Sequence, residues 1–212
     1  MELKSPTMRR SLQNSGRCNH EGIHSTLPQP RLALSSVTST IHDVCVYPIV
    51  LGFGGTLPPR LLSLLDEFER SRFERYQLRV VKDRFLEGHA CMRLLLARLL
   101  AVSPDSIRYS YNRFGKPFLA SHPYCKISVA HSGQMMLLAA ANNCDLGIDI
   151  EAIDNRTDRD AIVKRFFTHQ EQLDYASNPE PDRPAAFLRA WTRKEAYLKA
   201  RGDGLTIALN SF

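Results

Sequence analysis

The sequence is short of the features that would name a common function. Its five cysteines, Cys18, Cys45, Cys91, Cys125 and Cys144, are odd in number and widely spaced. With no pair two residues apart, neither a zinc knuckle nor a disulfide framework is supported, and they read as reduced core thiols. No apolar run approaches the roughly 20 residues of a membrane span; the longest, 94–102 and 135–141, are far shorter, and Arg98 interrupts the first. Gly and Pro, at 11 and 12, are too few for a collagen-like or low-complexity chain. Walker loop, dinucleotide GxGxxG, zinc HExxH and nucleophile elbow are all missing. What remains is a 212-residue chain, 43% apolar and 24% charged, able to bury a sizeable core. Its 28 Lys and Arg against 22 Asp and Glu leave a formal charge of +6, which favours phosphorylated ligands, acidic proteins or nucleic acid as partners.

The first forty residues differ in kind. Arg9, Arg10, Arg17 and Arg31 lie among Ser and Thr, with Glu2 and Glu21 the acidic residues and no apolar periodicity. A secretory segment is excluded; 1–40 reads as a disordered tail, an over-long start with Met8 as another candidate, or an organellar address on an otherwise cytoplasmic protein. A strand is expected over 41–50, then two helices over 61–81 and 82–102. Short strands are expected at 107–111, 118–119, 126–130, 135–141 and 146–151, their close spacing favouring antiparallel hairpins. Beyond Asp158 the pattern is helical: 160–167, a capping box from Thr168 to Glu171, and a long helix over 185–201 ended by Gly202 and Gly204, with a last strand at 205–209. These spans make an α+β chain of two similar subdomains, 41–125 and 126–212, each a long helix packed on a small antiparallel sheet.

Two segments carry the sharpest chemistry. In Gly147-Ile148-Asp149-Ile150-Glu151, a strand would send Ile148 and Ile150 to the core and project Asp149 and Glu151 together about 7 Å apart. Such a carboxylate pair, if partly buried, wants a proton or a hard cation such as Mg²⁺. Alone, it reads as a solvated polar strand face sooner than as a metal site. In the helix 191–199, Trp191, Glu195 and Lys199 recur every four residues and share a stripe. Glu195 is a candidate metal ligand and proton acceptor, and Lys199 a candidate phosphate partner, although a Glu and Lys so spaced are usually a surface pair. Gly115-Lys116-Pro117 presents a lysine in a turn. Ala130-His131-Ser132-Gly133 puts an imidazole and a hydroxyl at a strand end, and Arg70, Arg72, Arg75, Arg79 and Arg84 make a basic helical surface.

In order, GKP, AHS, GIDIE and WTRKEAYLK followed by GDGL resemble the fingerprints of the 4′-phosphopantetheinyl transferases of the surfactin-synthetase type, and Arg165-Phe166-Phe167-Thr168 looks like that family's RFF segment. The resemblance runs from about residue 41 to 212. It implies a cleft between two subdomains that takes Mg²⁺ and coenzyme A, and transfer of the 4′-phosphopantetheine arm to a serine of an apo acyl or peptidyl carrier protein, with release of 3′,5′-adenosine bisphosphate. It implies Asp149, Glu151 and Glu195 as the magnesium set and Glu195 as the base for the carrier serine. Lys199 and His131, with Ser132 beside it, would meet the diphosphate, and Lys116, Arg72 and Arg84 the nucleotide end. Phosphoryl-type transfer asks for charge neutralisation and positioning more than for a covalent protein nucleophile, in agreement with the residues present. Departures from the pattern are Ala130, where serine is common before the histidine, His89, where arginine is common, and a second sheet left incomplete at the C-terminus. The alternatives are a non-catalytic protein that binds coenzyme A or a carrier domain, and a basic nucleic-acid-binding module, for which no recognition motif is present.

Overall fold

A computed structural model describes residues 44–52, 57–153 and 158–212. The expected tail at 1–40 and the first residues of the strand expected at 41–50 lie outside the described residues. The elements in chain order are β1 Cys45–Val50, α1 Arg60–Leu64, α2 Glu67–Arg75, α3 Arg79–Leu100, β2 Tyr109–Tyr111, β3 Pro117–Leu119, β4 Cys125–Ser132, β5 Met135–Asn142, α4 Arg159–Phe166, α5 His169–Ala176 and α6 Arg183–Arg201. The chain is α+β.

The main sheet has the order β1-β5-β4, antiparallel throughout, with β2 and β3 forming a separate hairpin. Because β1 pairs with β5, the sheet draws strands from both sides of residue 125. Alternation along β5 gives the sheet two buried faces. Met136, Leu138 and Ala140 join Leu95, Leu96 and Ile127 in the core beneath α3. Ala139 and Ala141, facing the other way, are covered by Leu146, Cys144 and Ile148. A third cluster joins α4, α5 and α6, with the rings of Phe167 and Phe187 stacked at 5.7 Å and Phe187 followed by Trp191 at 6.0 Å.

Three expectations need correction. The single helix expected over 61–81 is two short helices, α1 and α2, followed by the first residues of α3. Asp66 accepts from the Glu69 amide at 2.9 Å while the Glu69 side chain accepts from the Asp66 amide at 3.0 Å, a capping box that restarts the chain as α2. The strand expected over 146–151 is extended but joins no ladder. Its amides turn to side chains of β4: Ile148 N–H donates to Ser128 Oγ at 3.1 Å and Ala152 N–H to Ser132 Oγ at 3.0 Å. The strand expected over 205–209 is replaced by two 3₁₀ turns, Gly204–Thr206 and Leu209–Ser211. There the buried Lys194 ammonium donates to the carbonyls of Leu209, at 2.8 Å, and Phe212, taking acceptors that a neighbouring strand would otherwise use. The capping box at Thr168 and Glu171 forms as expected.

Candidate functional site

The extended segment 146–151 lies hard against α6, and Gly147 is what permits it. A Cβ at Gly147 would collide with the carbonyl of Ala196 and the amide of Ala200. This approach carries Asp149 to α6, where Lys199 Nζ donates to Asp149 Oδ1 at 2.6 Å. The Asp149 side chain is only 7% exposed, and its second oxygen, Oδ2, is buried with no hydrogen-bond partner. Glu195 lies one turn before Lys199. Burial raises its carboxyl above the ordinary carboxylate range, and the negative charges of Asp149 and Glu151 add to the rise against the opposing pull of Lys199. Glu151 is exposed and accepts a hydrogen bond from Ser132 Oγ at 3.1 Å. Among the described residues no three His, Cys, Asp or Glu side chains close on one point as a ready-made metal shell. The ammonium of Lys199, not a third carboxylate, answers Asp149 here.

Glu195 and Lys199 open onto a cavity of about 250 Å³ shared with Lys116, Ser128 and Phe114. Lys116 serves the helix as well as the cavity. Its Nζ donates to the Ala200 carbonyl at 2.6 Å, and Asn112 Nδ2 donates to the Gly202 carbonyl at 2.7 Å. The turn between β2 and β3 therefore satisfies carbonyls that the end of α6 leaves open. Burial lowers the titration of the Lys116 ammonium, with Lys126 adding to the effect and Asp145 opposing it.

A second cavity, of about 400 Å³, collects Arg72, Arg84 and His131 with Phe85, Tyr76 and His89. Arg72 lies over the Phe85 ring at 5.3 Å, and His89 stacks on the same ring at 4.0 Å. Arg84 Nε is buried there without a hydrogen-bond partner. Strand β4 borders both cavities, with Ser128 at the first and His131 at the second.

The structure thus brings Glu195, Lys199 and Lys116 together, adds Asp149 through Lys199, and sets Ser132 beside Glu151. Arg72, Arg84 and His131 also meet. Lys116 does not join Arg72 and Arg84, the grouping expected from the sequence, because the end of α6 holds it in the other cavity. Sequence reasoning missed the buried support of the second cavity. Glu69, 1% exposed, pairs with His89 Nδ1 at 2.6 Å and is gripped by Arg93, which has no exposed surface. The signal was present, since Arg93 falls on the apolar stripe of α3 with Leu86, Ala90, Leu96 and Ala97.

A model of the 4′-phosphopantetheinyl transferase superfamily matches residues 145–212. A putative 4′-phosphopantetheinyl transferase of Synechocystis sp. is 35% identical over 158 residues, covering 73% of this chain and 63% of the relative. The 4′-phosphopantetheinyl transferase HetI of Nostoc sp. is 30% identical over 185 residues, 86% of this chain and 76% of the relative. The chain belongs to the 4′-phosphopantetheinyl transferase superfamily. Sfp of Bacillus subtilis, another 4′-phosphopantetheinyl transferase, is 28% identical over 72% of the chain and 67% of the relative. The superfamily match begins at the segment bearing Asp149 and Glu151 and takes in Glu195 and Lys199; Arg72, Arg84, Lys116 and His131 precede it.

Proposed function

We propose that this chain transfers the 4′-phosphopantetheine arm of coenzyme A to a serine of an apo acyl or peptidyl carrier protein, in the cytoplasm and with Mg²⁺. The observation that carries this reading is the buried, unpartnered Oδ2 of Asp149 beside Lys199 and the raised carboxyl of Glu195. An orphaned carboxylate oxygen is costly in a protein interior. A hard divalent cation satisfies it with one or two carboxylates, substrate phosphate and water, so the donor chemistry of Asp149, Glu195 and Glu151 fits Mg²⁺. When bound, the ion would supply charge neutralisation on the phosphates.

The chain's own groups account for the rest. The serine hydroxyl attacks the β-phosphate, a new P–O bond forms, and the bond to the α-phosphate breaks to release 3′,5′-adenosine bisphosphate. Glu195, unusually basic for a carboxylate, receives the serine proton. Lys199, paired with Asp149 in the free protein, is the cation positioned to meet charge that builds on the leaving diphosphate oxygen. The second cavity, with Arg72, Arg84 and His131, takes the nucleotide end. The formal charge of +6 suits an acidic carrier protein as partner.

The test is mass spectrometry of an apo carrier protein incubated with the full chain, coenzyme A and Mg²⁺. A gain of one phosphopantetheine arm is expected, lost on chelation of divalent ions and slowed about 10²-fold or more in Glu195→Ala. Absence of labelling across several carriers by the folded protein rejects the reading.

A further inference from the structure

An extended segment that joins no ladder has no backbone pairing to fix its register, and a slip of one residue would exchange its side chains between the two faces. The segment that bears Asp149 and Glu151 is held instead by hydroxyls. Side chains alternate along β4: Ile127 and Val129 join the core beneath α3, so Ser128, Ala130 and Ser132 share the opposite face. There Ser128 lies across from Ala139, and Ala139 belongs to the cluster that Ile148 covers. Ser128 Oγ accepts from Ile148 N–H at 3.1 Å and Ser132 Oγ accepts from Ala152 N–H at 3.0 Å. Donors and acceptors are each four residues apart, about 13 Å of extended chain on both sides, so the segment runs parallel to β4 in matched register.

The two rungs flank the acids. Asp149 follows Ile148 and is the residue that meets Lys199 at 2.6 Å. Glu151 precedes Ala152, and Ser132 spends its one proton on Glu151 Oε2 at 3.1 Å. Ser128 is 3% exposed, and a buried amide that loses its acceptor bears the full cost of its desolvation. Between the rungs Ala130 has no acceptor to offer, and among the described residues none accepts from Ile150 N–H.

Resting on the function proposed above for what the two acids do, we propose that Ser128 is a positioning residue that sets Asp149 for Mg²⁺ through the Ile148 amide, and that Ser132 sets Glu151 through its carboxylate and the Ala152 amide. The two serines stand in for a strand ladder and fix which face of the segment the acids occupy.

Amide hydrogen exchange of the full chain reads the tether itself. Titration of the full chain with Mn²⁺, a paramagnetic stand-in for Mg²⁺, under saturating coenzyme A reads its consequence. In Ser128→Ala, exchange at Ile148 quickens about tenfold or more relative to the amides of β5. The Kd for Mn²⁺ rises about tenfold, the usual scale for removing a group that orients a metal ligand, while the Kd for coenzyme A without metal stays within about twofold. Carrier labelling shows a raised KM for Mg²⁺ with kcat at saturating ion held within about threefold. Ala130→Ser tests the register without removing any contact of the two serines: its hydroxyl falls opposite Ile150 and slows exchange of that amide about threefold or more. Wild-type exchange at Ile148 in a folded Ser128→Ala, unchanged exchange at Ile150 in Ala130→Ser, or a Mn²⁺ Kd within about twofold of wild type in Ser128→Ala overturns the assignment and leaves the transferase reading standing. A wild-type chain that takes up no Mn²⁺ alongside coenzyme A overturns both.

Discussion

Arg93 has no exposed surface, yet its guanidinium reaches two carboxylates and a carbonyl. A buried ion pair is weak evidence for stability as such, because desolvating both partners offsets most of their attraction. Removing one partner is another matter. Arg93→Met retains the volume but leaves Glu69 and Asp66 facing each other without a countercharge, and is expected to cost about 3–5 kcal/mol, seen as a lower urea midpoint. A change below about 1 kcal/mol would mean that the carboxylates find other partners. Lys194 follows the same logic on α6, where it is 3% exposed and engages Glu171 at 2.8 Å. Both charged residues lie on apolar helix faces, with Phe187 and Leu198 flanking Lys194. Their burial was therefore legible from periodicity. Their partners were not, because Glu69 and Glu171 sit on other elements and first present themselves as capping residues.

At the scale of elements, the site depends on how closely an extended segment approaches a helix. Gly147→Ala is expected to destabilise the protein by about 1–3 kcal/mol and to depress carrier labelling further, since the displaced segment carries Asp149 away from Lys199. Gly115 offers the contrast: φ is +86° but nothing stands where a Cβ would go. Alanine there bears only the left-handed strain of about 1–2 kcal/mol, so urea midpoints and labelling rates of the two variants separate crowding from strain. Comparable labelling losses in both would reject the close approach as the feature that builds the site. The sequence made the helices and hairpins readable through period and punctuation, and it placed Glu195 and Lys199 on one stripe. It misread 146–151 as a strand because alternation reports burial on two faces, not who accepts the amide hydrogens; Ser128 and Ser132 do so here. It misread 61–81 as one helix because the apolar spacing runs through Asp66 and Glu69, whose capping box decides the break.

At the scale of the molecule, two carboxylates, the buried Glu69 and the partly exposed Glu171, tie distant parts of the chain together. Glu69 joins α2 to α3, and Glu171 joins α5 to α6 and, through Lys194, to the last turns. Burial would raise both carboxyls, but hydrogen bonds outweigh it. His89, the Asp66 amide and Arg93 bring Glu69 below the usual 4.5. Lys194 and Thr168 do the same for Glu171. A carboxyl whose folded-state value is depressed contributes its full stability above the unfolded value and loses it as pH falls through the folded value. The urea midpoint should therefore be nearly flat from pH 7 down to about pH 5 and fall below that, while protonation elsewhere adds repulsion to a chain already at +6. Replacing Glu69 and Glu171 together with Gln should lower the midpoint at pH 7 and flatten its decline toward about pH 3, since the groups that take up protons on unfolding are gone. A double variant that loses stability in acid as steeply as the wild type would mean that carboxylates other than these two control the acid limit.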